Sequence, residues 1–548
     1  MTQSRPPGQD HIGAVVELAP DAGVERRNVL DRAHRGDLVG ALGRVDAHRG
    51  RPLVVRRIAS FLAVAGPGTV VMVANNDGGS ISVFAQAGQD FGLRWIWLPA
   101  LLIGALFVVQ EMAARLGAVT GAGHARLIFE RFGPRWGWFA LGDLLVINVL
   151  TVMTEFIGLQ YGLGYFGVSR FVAVPAGLAV LLLASLLGDL RDWERGALLL
   201  VFVSIVVAPL LLLDTHAHAL VSLAGGRPAP GGPGGTGIIF ALAIVGTAVS
   251  PWQLFFQQSN VVDKRITSRW LGYERVDTLV GSVIFGVGAT LLIGASAYAF
   301  GGTALHGHFV DALHTAQGLH DRAGSWAGTL FAVILIDGSL LAAGVVTLTT
   351  GYALGEVAGW RHSRHRGWAQ ARRFYGAQGL SAVLAAGLVL VLEQHLGLIT
   401  VAVQALAGTL FPSAGILLLL LCNDREVLGP WVNRPLHNGA AALLMGALMV
   451  LSAVSTLETV VPHVSHRVVA AVAIVVGVAA EVALVGAGRG SAAPAVDPAM
   501  RRQWTMPPLE RLRPPTRWQR HDLALAMTRV YVIVTSIGLI VWAVRGAG

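Results

Sequence analysis

A run of polar and small residues, Ala74-Asn75-Asn76-Asp77-Gly78-Gly79-Ser80, interrupts an apolar segment that extends from about 58 to 87. An ionisable group near the middle of a membrane costs at least ~2.5 kcal/mol unless it is paired or hydrated, so the Asp77 carboxylate needs a compensating role. The two glycines weaken the helix, and an unwound segment presents backbone carbonyls and amides beside that carboxylate. Ser80 follows by about one helical turn, where its hydroxyl either faces the same cavity or caps the resumed helix.

A second interruption, Gly246-Thr247-Ala248-Val249-Ser250-Pro251-Trp252, lies in a later apolar segment. Pro251 has no amide hydrogen and breaks the helical hydrogen-bond ladder, which frees carbonyls such as those of Thr247 and Ala248. Carboxylate, carbonyl and water oxygens suit Mg²⁺ or Mn²⁺, and Mg²⁺ in particular keeps several waters. Two interrupted helices in corresponding halves of a membrane protein indicate a transporter's binding site near the middle of the bilayer.

Other polar residues inside apolar segments are candidates for the site or for an ion path. Gln257 and Gln258 follow the second interruption, where their amides either hold an ion's hydration shell or bond neighbouring helices. Glu155 and Asp337 lie deep enough to line an ion path, although buried carboxylates also pair with neighbouring helices. The complete prediction for the metal site is Asp77, Ser80, Thr247, Ala248, Ser250, Gln253, Gln257 and Gln404, with Glu155 and Asp337 in the ion pathway.

The composition is that of a protein that crosses the membrane many times. Of its 548 residues, 54% are hydrophobic and 13% are charged, and the mean hydropathy is +0.61, values too apolar for a soluble chain of this length. The single cysteine, Cys422, excludes an internal disulfide and a thiolate metal cluster. The net charge of +9 is explained by Lys and Arg in loops on one side of the membrane rather than by binding to nucleic acid.

Apolar stretches long enough to span a bilayer occur at about 57–87, 95–116, 136–166, 171–188, 196–214, 237–260, 278–300, 326–356, 375–393, 398–422, 437–456, 467–487 and 523–545. No cleavable signal peptide is visible, and the distribution of Lys and Arg places the N-terminus in the cytoplasm. Five spans on each side of a Gly- and Pro-rich linker give two sets of opposite orientation, as an inverted repeat requires. The predicted divisions are a partly disordered cytoplasmic tail (1–52), a first five-helix repeat (53–223), an extracellular linker (224–236), a second five-helix repeat (237–422), two additional helices (423–487), a cytoplasmic basic linker near the lipid surface (488–521) and a C-terminal helix (522–548).

Several motifs agree in order and spacing with one known family. They are Gly66-Pro67-Gly68, the Asp77-Gly78-Gly79 break, 110–117 (Gln-Glu-Met-Ala-Ala-Arg-Leu-Gly), Thr120-Gly121, 155–158 (Glu-Phe-Ile-Gly), 250–253 (Ser-Pro-Trp-Gln) and Asn423-Asp424. Over residues 55 to 430 the chain resembles the natural resistance-associated macrophage protein (NRAMP) family of divalent metal transporters. The resemblance implies an all-α fold of the LeuT/APC-superfamily type, with inverted repeats of five helices each, two broken helices and additional C-terminal helices.

The chain departs from that family's pattern at the metal site. The family has Asp-Pro-Gly-Asn at the first break and Ala-x-x-Met-Pro-His at the second; here Ser80 stands in place of the Asn, and Thr247 and Ser250 stand in place of the Ala and Met. A thioether favours transition metals, so its loss argues against strict Mn²⁺ or Fe²⁺ selectivity.

Groups that serve proton movement in the family are also replaced. Two family histidines fall on Trp252 and Gln257, and one family acid falls on Val152, so proton coupling is not expected. The pattern is similar to that of the NRAMP-related magnesium transporters, which have Pro-Trp followed by a Gln-Gln-Ser ending. That branch commonly has Asp-Ala-Gly-Cys at the first break, so Gly78, Ser80 and Ser250 are variations.

The sequence therefore predicts a carrier in the cell (inner) membrane rather than an enzyme, moving partly hydrated Mg²⁺ and also Mn²⁺. No cofactor, nucleic-acid partner or obligate protein partner is expected beyond the transported ion and the lipid bilayer. The main alternative is a proton-coupled Mn²⁺ or Fe²⁺ importer with Glu155 and Asp337 in the proton route. A metal-responsive receptor would need a folded signalling domain, and an organic-substrate carrier would hold a carboxylate that Asp77 repels.

Overall fold

The computed structural model describes residues 38, 40–42, 53–186, 189–215, 235–392, 395–461, 465, 467–469, 471–478, 501, 504–512 and 518–547. Most of the predicted N-terminal tail, nearly all of the 224–236 linker and most of the 488–521 linker lie outside these residues. Within them every regular element is a helix, as the sequence predicts.

The first half of the chain forms α1 (Leu53–Val64), α2 (Pro67–Val73), α3 (Gly78–Phe91), α4 (Trp97–Thr120), α5 (His124–Phe132), α6 (Pro134–Tyr165), α7 (Arg170–Leu186) and α8 (Leu190–Asp214). Pro67 and Pro134 begin α2 and α6, where the missing amide hydrogen costs no helical bond. Asp189 caps α8 by accepting hydrogen bonds from two backbone amides of its first turn.

The second half forms α9 (Gly235–Ala248), α10 (Pro251–Asp263), α11 (Leu271–Phe300), α12 (Ala312–Ala323), α13 (Ser325–Ala358), α14 (Arg372–Val391) and α15 (Leu396–Asn423), followed by α16 (Pro435–Val460) and α17 (Trp518–Ala547). Asp311 caps α12 by accepting from the amide of His314 at 2.8 Å. Gly359, in the left-handed conformation that glycine adopts without strain, ends α13.

The two halves carry the same elements in the same order. Each begins with a broken helix and a long second helix. A short helix, α5 or α12, then precedes the long third helix, α6 or α13, and two more helices complete each half. This correspondence is the one expected of a repeated five-helix unit.

The lengths of the helices fit a bilayer. Ten described stretches are long and apolar enough to cross it, and α1 with α2, which are bent by 52°, make an eleventh if they form one span. Ile239–Asp263 counts as one span across the second break, whereas the fourth predicted span forms the shorter α7.

Close contacts at small residues hold each break against a long helix of its own half. A Cβ atom on Gly246 in α9 would lie 1.9 Å from the carbonyl oxygen of Gln404 in α15, so only glycine permits this approach. In the same way, a Cβ atom on Gly158 in α6 would lie 2.7 Å from the Cα atom of Gly78. Both breaks are therefore held against long helices of the bundle.

Candidate ion-binding site

The first break separates α2 from α3. Asp77 has an extended backbone and caps α3, because its Oδ1 atom accepts a hydrogen bond from the Ser80 amide at 2.6 Å. The amide of Gly78 donates instead to Oε2 of Glu155 at 2.9 Å. Asp77 and Glu155 are both buried, with 3% and 1% exposure, so two carboxyl groups from different helices meet at this break.

Two polar side chains pack closely on the two glycines of this break. A Cβ atom on Gly78 would lie 2.4 Å from the Ser339 hydroxyl oxygen, and one on Gly79 would lie 2.2 Å from Nε2 of Gln404. The same Gln404 nitrogen donates a long hydrogen bond of 3.4 Å to Oδ1 of Asp77. The glycines thus allow polar side chains from α13 and α15 to approach the carboxylate.

The second break separates α9 from α10. In a continuous helix the Thr247 carbonyl would accept from the amide of residue 251, but this residue is proline, so the carbonyl has no helical donor. The Ala248 carbonyl accepts from Nδ2 of Asn75 at 3.2 Å and from Nε2 of Gln253 at 3.0 Å. Ser250 occupies the capping position of α10, and its side chain makes no capping hydrogen bond to that described helix.

The two breaks adjoin each other. The Asn75 to Ala248 hydrogen bond joins them directly. Gln404 joins them a second time, because its backbone lies against Gly246 and its side chain reaches Asp77. Seven predicted site residues therefore lie on or beside one junction: Asp77, Ser80, Thr247, Ala248, Ser250, Gln253 and Gln404.

Gln257 and Asp337 face other neighbours. Nε2 of Gln257 donates to Glu274 at 2.8 Å and to the Thr278 hydroxyl at 3.3 Å, both on α11. Asp337 accepts from the Ser204 hydroxyl of α8 at 2.6 Å, although the adjacent Gly338 packs on the break.

Several buried oxygen atoms around the junction have no hydrogen-bonding partner among the described residues. They are Oδ1 of Asn75, Oδ1 of Asn76, Oγ of Ser80, Oγ of Ser250 and Oγ of Ser339. A buried polar atom left unpaired costs about 1–3 kcal/mol, so such atoms are suited to a polar ligand. All five are neutral, and the carboxyl groups at this break belong to Asp77 and Glu155.

This donor set differs from a closed metal cage. Within the part of the chain that the structure describes, no group of three or more His, Cys, Asp or Glu side chains is arranged to hold a metal ion. Two carboxyl groups with neutral oxygens suit a hard cation that retains part of its water.

Two polar features were not assigned to the site from the sequence. The first is Asn75, which is fully buried at the junction. The sequence feature that could have indicated it is the pair Asn75-Asn76 within an apolar span. The second feature is a buried cluster at the α1–α2 bend, in which Lys264 bonds Glu194 at 2.8 Å and Asp277 accepts from three backbone amides.

Comparisons with known proteins identify the family to which this chain belongs. Residues 68–458 match the family model described as natural resistance-associated macrophage protein-like (Nramp). The divalent metal cation transporter MntH of Aeromonas hydrophila subsp. hydrophila is 26% identical over 405 residues, covering 72% of this chain and 95% of that protein. The MntH of Lacticaseibacillus casei is 28% identical over 423 residues, covering 72% and 88%.

A crystal structure of the Eremococcus coleocola manganese transporter superposes with a TM-score of 0.60 at 18% identity. The match covers 83% of this chain and 97% of the other, and it shows that the two share the LeuT-type fold. Because the family model covers well over half of the chain, including both breaks and Gln404, this protein belongs to the natural resistance-associated macrophage protein-like (Nramp) family.

Proposed function

We propose that this protein is a carrier that moves divalent metal cations across the cell membrane, with Mg²⁺ as its main substrate and Mn²⁺ as a second one. Family membership and relatives named as divalent metal cation transporters support the class of substrate. The observation that carries the preference for Mg²⁺ is the donor set: Asp77 is accompanied by neutral oxygens. The resemblance also implies that Ser250 replaces a family thioether.

The neutral oxygens favour an ion that keeps part of its water. Mg²⁺ loses water reluctantly, and hydroxyl or amide oxygens accept hydrogen bonds from its coordinated waters. In this proposal Asp77 supplies the negative charge and the Thr247 carbonyl supplies an oxygen without a helical donor. Ser80, Ser250, Gln253 and Gln404 contact the ion or its water shell.

The membrane potential alone can drive inward transport of a divalent cation, without a coupled ion. The membrane potential contributes about 2.3 kcal/mol per charge per 100 mV, or roughly twice that for a divalent cation. Inward movement through a carrier whose N-terminus is cytoplasmic needs no second ion and no obligate protein partner. The absence of the family histidines at Trp252 and Gln257 supports transport without obligatory proton coupling.

A proton-coupled Mn²⁺ importer is the second candidate function. The solved transporter of the same fold is named a manganese transporter, which is the reason to consider Mn²⁺ as the ion. The position of Glu155 favours this candidate as well, because its carboxylate bonds the Gly78 amide directly beside Asp77. In that case Glu155 and Asp337 carry the proton.

Proteoliposomes containing a metal-sensitive dye and a pH-sensitive dye distinguish these functions. We expect Mg²⁺ uptake without acidification of the interior. Proton entry together with Mg²⁺ would keep the substrate and overturn the uncoupled mechanism. Uptake of Mn²⁺ without uptake of Mg²⁺ would favour the second candidate.

Asp77 is tested in the same assay. Asp77→Ala removes both the charge and the cap of α3, whereas Asp77→Asn removes the charge and keeps a side chain that can cap. We expect both variants to lose Mg²⁺ uptake, and Asp77→Asn to keep the melting temperature of the wild type.

The matched control is Asp143→Asn on α6. Asp143 accepts from the Ser413 hydroxyl at 3.4 Å, and it precedes Glu155 by twelve residues, about 18 Å along the helix. Uptake is expected to persist in this variant. Normal Mg²⁺ uptake by Asp77→Asn would remove the Asp77 charge from the mechanism.

A further inference from the structure

Asn75 is the residue at which the two breaks touch. It follows the end of α2, and its side chain is fully buried. The Nδ2 atom donates to the Ala248 carbonyl across the junction at 3.2 Å, while Oδ1 has no hydrogen-bonding partner in the described part of the chain. One end of this amide group is therefore fixed, and the other end is available to a ligand.

The Ala248 carbonyl is already hydrogen-bonded and is therefore not available to a ligand. This carbonyl also accepts from Nε2 of Gln253, whose Oε1 atom accepts in turn from Nε2 of Gln110 at 3.0 Å. A carbonyl oxygen has two lone pairs, so two donors occupy the Ala248 oxygen fully. The neighbouring Thr247 carbonyl, which Pro251 deprives of its helical donor, is the one left to face a ligand.

We propose that Asn75 is a specificity-determining residue whose amide oxygen accepts a hydrogen bond from the water shell of the transported ion while its nitrogen holds the second break in place. This inference rests on the proposed transport of a partly hydrated divalent cation. A neutral amide oxygen bonds coordinated water without attracting soft metals, so the contact favours Mg²⁺ over ions that shed water more readily.

The proposal predicts that two substitutions of Asn75 change the KM for Mg²⁺ in opposite directions. Asn75→Leu removes both the donor and the acceptor, and we expect the KM for Mg²⁺ to rise roughly tenfold, with a smaller rise for Mn²⁺. Asn75→Asp keeps oxygen atoms, adds a negative charge and removes the donor. Its KM for Mg²⁺ is expected to fall, and its maximal rate is expected to fall as well because the Ala248 carbonyl loses a partner.

Asn148 on α6 provides a matched control. It is also fully buried, its Nδ2 atom donates to the Thr350 hydroxyl at 2.9 Å, and its Oδ1 atom has no partner among the residues that the structure describes. Asn148→Leu therefore removes the same chemical group outside the junction. We expect its KM for Mg²⁺ and its preference for Mg²⁺ over Mn²⁺ to equal those of the wild type.

The experiment is Mg²⁺ and Mn²⁺ uptake by proteoliposomes of the wild type and these variants, with the melting temperature of each purified protein. If Asn75→Leu does not fold, the isosteric Asn75→Asp carries the test. Shifts of the KM in the same direction for both Asn75 variants, or a KM for Mg²⁺ unchanged in both, would overturn the proposal. Failure of the wild type to take up Mg²⁺ would instead contradict the proposed function.

Discussion

Ser250 is the residue at which the sequence resemblance implies a change of ligand chemistry from the family pattern. Its hydroxyl is buried without a partner among the described residues, and it precedes the proline that breaks the helix. A substitution of this side chain therefore removes no hydrogen bond within the described part of the protein. A substitution at this position can therefore measure how much a soft ligand contributes to ion selectivity.

Ser250→Met is expected to shift selectivity toward Mn²⁺, because a thioether binds transition metals better than alkaline-earth ions. We expect the ratio of kcat/KM for Mn²⁺ to that for Mg²⁺ to rise about tenfold, corresponding to about 1.4 kcal/mol. Competitive uptake of the two ions measures this ratio. Ser250→Leu, which adds bulk without sulfur, is the control, and an equal shift in both variants would show that size rather than sulfur is responsible.

Residue types and spacing were sufficient to predict the position of Asp77 within a helix break. They did not predict which helix each polar side chain faces. Gln253 and Gln257 lie one turn apart on α10, yet Gln253 bonds α4 and Gln257 bonds α11. Such choices depend on the packing of neighbouring helices, which a single sequence does not encode as a local pattern.

The bend of 52° between α1 and α2 is held by buried side chains from other helices. Gly66 has a φ of 146°, a conformation that suits glycine. Oδ2 of Asp277 accepts from the amides of Gly66, Gly68 and Thr69 at 2.8–3.1 Å. Nζ of Lys264 donates to the Ala65 carbonyl at 2.7 Å, so backbone groups freed by the bend are paired on both sides.

Lys264→Met is expected to loosen α1, because it leaves the Ala65 carbonyl unpaired and Glu194 without its buried partner. Ala63, which is fully buried near the end of α1, reports this motion when changed to cysteine. The only native cysteine, Cys422, is replaced by serine in the same background. We expect faster labelling of Ala63→Cys by a maleimide when Lys264 is replaced.

Arg126→Gln provides the control for this experiment. Arg126 bonds Glu130 at 2.6 Å on the partly exposed face of α5, where an ion pair contributes little. Labelling at position 63 should not change in this variant. Equal labelling rates with and without the Lys264→Met substitution would mean that the bend is held without the ammonium group.

The order of helices was predictable because apolar length, Gly, Pro and caps are local signals. The bend at Gly66 was not separated from the break at Asp77, since the sequence predicts one span from 57 to 87 with a single interruption. The structure instead divides this stretch into α1, α2 and α3. A bend held by side chains more than a hundred residues away has no local signature beyond the glycine and proline themselves.

At the scale of the whole molecule, α17 lies outside the two repeats and packs against α15 and α16. Its Arg545 side chain donates to the Thr459 carbonyl, and its Gly538 lies against Thr456. The family model ends at residue 458, before this helix begins. Neither of these two contacts involves a residue of either break.

Deleting residues 513–548 is therefore expected to leave the KM for Mg²⁺ unchanged and to lower the melting temperature, because the covered faces of α15 and α16 lose their packing. Uptake by proteoliposomes and thermal unfolding in detergent measure the two effects. A changed KM with an unchanged melting temperature would show that α17 acts on the site.

The contacts of Gln404 have a consequence for how the membrane stays sealed. Its backbone touches the second break at Gly246, and its side chain touches the first break at Asp77 and Gly79. A shift of α15 that opens a passage on one side of the bilayer must then disturb both breaks together. We expect this contact of one residue with both breaks to prevent a continuous water-filled channel across the bilayer. The membrane potential then drives the transported ions and is not dissipated by a leak.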